Sequence, residues 1–377
     1  MEKNVLLLSS TTHPLIPQIY NEIKNHCNKV IFIIVQDQKK ILGEILSNFF
    51  VLIKNLKSVI LLSEIFFRDY KIYGVRRHFL FYFNLLNMLI LDKKYNFNII
   101  DAHWIFPAGY LATIYSRLFP KKIIMTAHGY DADQRTFGNP NMSKIVLKSA
   151  SQANIILTAE KRLYKNLKKY GITNVSLTNQ FIDLPPLDFD ISKIRKKLNL
   201  NQDSFIITVG PRMSELFGTD DFVKAILKIH EKISELYVVF LGDGDMRNYI
   251  EMNLSEKEIL YRITGTISHS SVLDYLKSSD IVCSLGKISH GIFPLEAWAY
   301  EKPVIGFGNV DELKIDNGVN GLLSETGNVE NLSKNILKLY HEPSLKKEFG
   351  RNGRKKIDRE YKKENRIRDI LEAYKIE

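Results

Sequence analysis

The sequence predicts an α/β protein of two doubly wound domains, each a parallel sheet with helices on both faces. Three observations carry this. Short runs such as Val5–Leu8 and Val30–Val35 are apolar at every position, and they alternate with helix-length segments. A strand apolar throughout, rather than at every second residue, is buried on both faces, as in sheets built from strand–helix–strand units. The rhythm stops at Pro185-Pro186 and then restarts, and 377 residues suit two domains of ordinary size.

In the first half, strands are expected at Val5–Leu8, Val30–Val35, Asn98–Asp101, Ile123–Thr126 and Ile155–Thr158. Helices are expected from Pro14 to about Asn28 and at Pro107–Phe119. Asp183–Asp190 holds few residues that could pack and reads as a linker. Strands are then expected at Phe205–Val209, Tyr237–Leu241, Tyr261–Ile263, Ile281–Cys283 and Val304–Gly306. The helices between them fall near 221–233, 246–254, 271–278 and 293–300. The domains are accordingly set at 1–184 and 201–347, with a linker at 185–200 and a terminal segment at 348–377.

Composition narrows the class. With 45% hydrophobic and 25% charged residues, the chain is neither disordered nor fibrous. The two cysteines, Cys27 and Cys283, show no metal-ligand spacing, which favours a reducing, cytoplasmic setting. The first apolar run is too short for a signal peptide, and Phe79–Leu91 is too short to span a bilayer, so no integral membrane protein is expected. Charge is lopsided: residues 1–200 carry 28 Lys and Arg against 14 Asp and Glu, a net +14, whereas residues 201–377 carry 25 against 28, a net −3. In residues 38–94 basic side chains interleave with Phe49-Phe50, Phe66-Phe67 and Phe79–Phe83. Two readings fit: a face for an anionic membrane, with rings at headgroup depth, or core helices with solvated basic sides. No nucleic-acid-binding motif accompanies the charge.

The densest motif is Ser289-His290-Gly291-Ile292-Phe293-Pro294-Leu295-Glu296-Ala297. Gly291 allows a ligand close to the backbone, and the helix that follows offers unpaired N–H groups that attract phosphate. Glu296 stands among apolar neighbours, where a carboxylate needs hydrogen-bond donors. A ribose diol would supply them; so would the amides of a neighbouring loop. No GxxxxGK[ST], GxSxG or HExxH occurs, and Gly242-Asp243-Gly244 lacks the third glycine of a dinucleotide fingerprint. His269 and His341 read as surface residues.

This segment resembles the signature of glycosyltransferase family 4, retaining enzymes of the GT-B fold, in which two Rossmann-like domains face a central cleft. Other blocks are similar in order: Asp101-Ala102-His103-Trp104, Thr126-Ala127-His128-Gly129-Tyr130-Asp131, Asn179 with Asp183, Gly210-Pro211-Arg212 with Gly218, and Gly242-Asp243-Gly244. Three positions depart from the pattern. Ile288 stands where the family has a Glu, Phe217 where it has a Lys, and Ser9-Ser10-Thr11-Thr12 replaces a Gly-Gly turn.

The resemblance implies transfer of a sugar from a nucleoside diphosphate sugar to a glycan or lipid-linked saccharide, with retained configuration, no metal and no cofactor beyond that co-substrate. Arg212 would meet the diphosphate and His128 the donor sugar, although a histidine at a strand end is also commonly a satisfied core group. Gly291, Ile292, Glu296, Gly265 and, as a replacement cation, Lys287 would line the donor site. His103, Asp131 and His13 would serve the acceptor or fix loops. The +14 half suggests peripheral docking on an anionic membrane at its cytoplasmic face. A non-catalytic binding subunit and a sugar-nucleotide epimerase are the rival readings.

Overall fold

The computed structural model describes residues 3–10, 15–35, 43, 45–46, 48–59, 75–210, 213–286, 291–308 and 314–375. His13, Arg212, Lys287 and Ile288 of the sequence reading lie outside the described residues. The chain divides into two compact units, one of residues 1–179 with 364–377 and one of residues 180–363.

In the first unit the strands are β1 (Asn4–Ser9), β2 (Lys29–Ile34), β3 (Ile99–His103), β4 (Lys122–Ala127), β5 (Ile155–Thr158) and β6 (Val175–Leu177). They form one parallel sheet in the order β2-β1-β3-β4-β5-β6. The helices are α1 (Leu15–Ile23), α2 (Phe49–Lys54), α3 (Val75–Tyr95), α4 (Tyr110–Ser116), α5 (Gln134–Gly138), α6 (Pro140–Ala150) and α7 (Lys161–Lys169). The core joins Leu6, Leu8, Ile100 and Ala102 of the sheet to Leu85, Leu89, Leu111 and Tyr115 of the helices.

The second unit holds α8 (Ile191–Lys197), β7 (Phe205–Gly210), α9 (Thr219–Ile229), β8 (Leu236–Phe240), α10 (Arg247–Glu256), β9 (Leu260–Ile263), α11 (His269–Ser278), β10 (Ile281–Gly286), α12 (Phe293–Ala299), β11 (Val304–Gly308), β12 (Gly321–Glu325), α13 (Val329–His341) and α14 (Pro343–Glu360). Its parallel sheet runs β12-β11-β10-β7-β8-β9. The last helix, α15 (Lys363–Ala373), lies almost wholly in the stretch that returns to the first unit.

The expected linker is structured. Asp190 caps α8 by accepting the Lys193 amide at 3.1 Å. Arg195, nearly buried, donates to the carbonyls of Gln202, Ser204 and Ser278 and to Asp280. Phe189 packs edge-on against Tyr300. The chain leaves the second unit at 363 rather than 347, because α14 is fastened there: a Cβ on Gly350 would collide with the Glu301 carbonyl, and one on Gly353 with the Trp298 ring. Two short strands, β6 and β12, were not expected, and the helix expected at 107–119 begins only at Tyr110, after an irregular turn at Ile105–Gly109. Among the described residues no helix is long and apolar enough to cross a membrane.

Each sheet reverses its winding once, between β1 and β3 in the first unit and between β7 and β10 in the second. Ligands of such sheets bind outside the carboxyl ends of the strands at that reversal. The described residues singled out in the sequence, among them His103, His128, Gly265 and Gly291, lie at or just beyond the carboxyl ends of strands.

Candidate functional site

In the second unit, β7, β8, β9 and β10 end at one edge of the sheet, where the described loop residues Met213, Gly242–Met246 and Gly265 meet. Register sets this: Ser284 of β10 pairs with Gly210 of β7, and Val209 with Phe240 of β8. The β7 loop resumes at Met213, and the Met213 carbonyl accepts the Met246 amide at 3.1 Å. Gly244 must be glycine there, since any Cβ would strike the Met213 backbone. Gly242 pairs with Gly265 in an isolated bridge and donates its amide to Thr264 at 2.9 Å. Gly265 has φ +63° and Gly291 φ +55°, a left-handed conformation that favours glycine. A Cβ on Gly291 would meet nothing within 4 Å, so the turn requires this glycine for its conformation rather than for space.

Ile292 caps α12, and Glu296 lies in its first turn, with its amide bonded to the Ile292 carbonyl at 3.0 Å. All seven residues of α12 are buried, Glu296 among them. A carboxylate in the first turn of a helix is favoured by the backbone dipoles. Pro294 removes one N–H from that turn, so it offers fewer amides to a phosphate than the sequence suggested.

The carboxylate has a partner that the sequence reading did not assign. His269 Nε2 lies 2.6 Å from Glu296 Oε1. Ser268 caps α11 by accepting the Ser271 amide, which starts the helix at His269 and turns its ring toward α12. His269 is at the surface, as expected, but its ring is tied to the buried Glu296. That hydrogen bond holds the His269 pKa above its ordinary 6.5, against the opposing effect of burial. A raised basic pKa contributes stability that is fully present below the unfolded value and is lost as pH rises through the folded one. The melting-temperature difference between the protein and His269→Ala should therefore be largest below about pH 6.5 and shrink as pH rises above it; a difference that grows toward alkaline pH would contradict the pairing. Lys314, also unassigned from sequence, donates to the Gly291 carbonyl at 2.7 Å and steadies the same turn.

In the first unit, His103 of β3 pairs in register with Thr126 of β4, which brings His128 alongside it just beyond the strand. His103 Nδ1 and His128 Nε2 are 2.9 Å apart. The Trp104 ring lies against His128, centroids 4.3 Å apart, and Trp104 has φ +75°. A bulky residue held there stores strain of about 1–3 kcal/mol, a feature that clusters at functional sites. His103 is fully buried, so it stands behind His128 rather than on a surface. Asp131 serves the loops: its carboxylate accepts the amides of Ile105 at 2.7 Å and of His128 and Gly129 at 3.1 Å. Burial pushes its pKa up to about 6 despite those bonds. Among the described residues, no cluster of His, Cys, Asp and Glu could hold a metal ion.

Two doubly wound parallel sheets with loops poised at their carboxyl ends define the GT-B fold. Residues 190–356 match the family model of glycosyl transferases group 1. EpsD of Bacillus subtilis, which carries the name of a glycosyltransferase, is 25% identical over 309 residues, 74% of this chain and 77% of its own. The capsular polysaccharide biosynthesis glycosyltransferase CapM of Staphylococcus aureus is 25% identical over 190 residues, 48% of each chain. HepE of Anabaena, solved with UDP and glucose, superposes with a TM-score of 0.73 over 99% of this chain and 100% of its own, at 13% identity. The fold is that of GT-B glycosyltransferases, and the second unit is similar to glycosyl transferases group 1.

Proposed function

We propose that the protein transfers a sugar, with retention of anomeric configuration, from a nucleoside diphosphate sugar to a growing glycan or lipid-linked saccharide. The observation that carries this reading is Glu296: a buried carboxylate in the first turn of α12, beside the left-handed Gly291 turn and next to the β7/β10 reversal. A ribose presents two adjacent hydroxyls, and a fixed carboxylate accepts both. The diphosphate would lie along the turns after β7 and β10, where Arg212 and Lys287 fall in the sequence. A forked guanidinium suits the charge that develops as the bond from the anomeric carbon to the phosphate oxygen breaks. The acceptor hydroxyl attacks from the face the diphosphate leaves, and the departing phosphate takes its proton. His128 would hydrogen-bond a hydroxyl of the donor sugar. The name of CapM supports a glycan product, and the UDP in the HepE structure supports a nucleotide as ligand.

A thermal-shift panel of UDP-glucose, GDP-mannose and their free diphosphates tests this. A ligand at a hundred times its Kd stabilises the fold by about 2.7 kcal/mol, so at least one donor and its diphosphate should raise the melting temperature by several degrees. No shift with any nucleotide would overturn the reading. NMR of the donor alone with enzyme should show no change of sugar configuration, as an epimerase would produce.

The acceptor side supports a membrane substrate. Leu46, Phe49, Phe50, Ile53 and Leu56, around α2, are each more than half exposed, whereas Ile45 and Leu52 point into the core. Lys54 and Lys57 flank this apolar stripe. Rings and aliphatic chains could enter the headgroup boundary while the lysines meet anionic lipid. Flotation with anionic liposomes at low salt should carry the protein upward, and Phe49→Ser with Phe50→Ser should abolish it. Equal flotation with neutral and anionic vesicles would contradict the charge argument.

A further inference from the structure

Glu296 lies in α12 between Leu295 and Ala297, both fully buried. Donors for its carboxylate must therefore come from another element or from a ligand. His269 Nε2 supplies one, to Oε1 at 2.6 Å. A carboxylate only accepts, so the proton of this bond is on the ring. Among the described residues no donor reaches Oε2. A carboxylate offers about four lone-pair sites, and the histidine uses one of them. The remainder suffices for the two hydroxyls of a ribose.

The histidine is itself held at its base. It is the first residue of α11, and Ser268 before it caps that helix by accepting the Ser271 amide at 3.2 Å. The Ser268 hydroxyl also lies 2.9 Å from the hydroxyls of Ser270 and Ser271. Tyr275 and Leu276 of α11 share one core with Leu295 and Trp298 of α12, so ring and carboxylate stand on two packed helices. Asp274, the other carboxylate on α11, is held by Lys197 and Lys277. A glutamate side chain loses rotamer freedom when a ligand fixes it. One that a neighbour already fixes does not lose that freedom again on binding.

We propose that His269 is a positioning residue for donor binding: it pins Oε1 of Glu296, so that the carboxylate meets the ribose in one preset orientation. The inference rests on the reading of Glu296 as the ribose-binding carboxylate. Its test separates the two by pairing each variant with a nucleotide that lacks the ribose hydroxyls. The probes are UDP or GDP, whichever raises the melting temperature of the native protein, and the dideoxy form of the same nucleotide. Affinities are measured by calorimetric titration.

The native protein should bind the ordinary nucleotide at least about tenfold more tightly than the dideoxy form. His269→Ala should weaken the ordinary nucleotide by about threefold to tenfold, and the dideoxy form by less than about twofold. The donor KM should rise by the same factor as the ordinary nucleotide weakens. His269→Gln places an amide N–H where Nε2–H was and should restore affinity to within about twofold of native, whereas His269→Leu, which fills the space without a donor, should behave as His269→Ala. In a Glu296→Ala background, adding His269→Ala should change affinity by less than about twofold, because residues that act through one another are not additive.

Equal losses for both nucleotides in His269→Ala would reduce the histidine to a structural role and overturn the proposal. Native affinity in that variant would overturn it too. Tighter binding would also overturn it, by showing that the histidine competes with the ribose for Glu296. A native protein that binds both nucleotides equally would remove the ribose from Glu296, and the proposal would fall with that reading.

Discussion

Glu296→Ala is expected to lower kcat/KM for the nucleotide sugar by about a hundredfold, the effect of losing hydrogen bonds to a charged acceptor worth about 1.5–3 kcal/mol. Most of the loss should appear in KM and in the affinity for the free diphosphate, because ribose contacts are made equally in the ground and transition states. Stability should fall as in His269→Ala, because the two variants lose the same hydrogen bond. Glu296→Gln keeps the shape and one acceptor oxygen, and should fall between the two. Measured by steady-state kinetics and nucleotide titration, an Ala variant with native KM and native diphosphate affinity would remove Glu296 from the donor site.

His128→Ala should have the opposite signature. Its place beyond β4 belongs to the first unit, whereas the nucleotide is assigned to loops of the second. Loss of the imidazole should therefore reduce kcat by about a hundredfold and leave diphosphate affinity unchanged. The contrast matters: it separates a residue that holds the nucleotide from one that acts in turnover. Equal losses in KM and kcat for both variants would point to misfolding or to a different division of labour.

Much of this was legible in the sequence because burial on both faces leaves a simple mark. β1, β7, β10 and β11 are buried along almost their whole length and read as largely apolar runs, whereas β3, equally buried, carries Asp101 and His103. β6 escaped notice because only Val175 of its three residues is buried, and β12 because it opens on a glycine and closes on an exposed Glu325. Residues 185–200 read as a linker because Pro185-Pro186 and their neighbours offer few side chains that could pack; only the folded chain shows four backbone and carboxylate acceptors converging on Arg195.

The site divides in the same way. Gly291 and Glu296 lie five residues apart and form one local motif, so the segment could be read directly. His269 sits 27 residues before Glu296, on another helix, and no spacing rule links them. Asp131 illustrates a role that sequence could only leave open: its position two residues after Gly129 suits either substrate or loop, and the three amides it accepts select the loop.

The most direct test of the whole account is a crystal structure of the protein with a nucleoside diphosphate. The account predicts ribose hydroxyls within hydrogen-bond distance of the Glu296 carboxylate, and the diphosphate against the Gly291 turn and Arg212. A nucleotide bound elsewhere, with Glu296 still engaged only by His269, would contradict it.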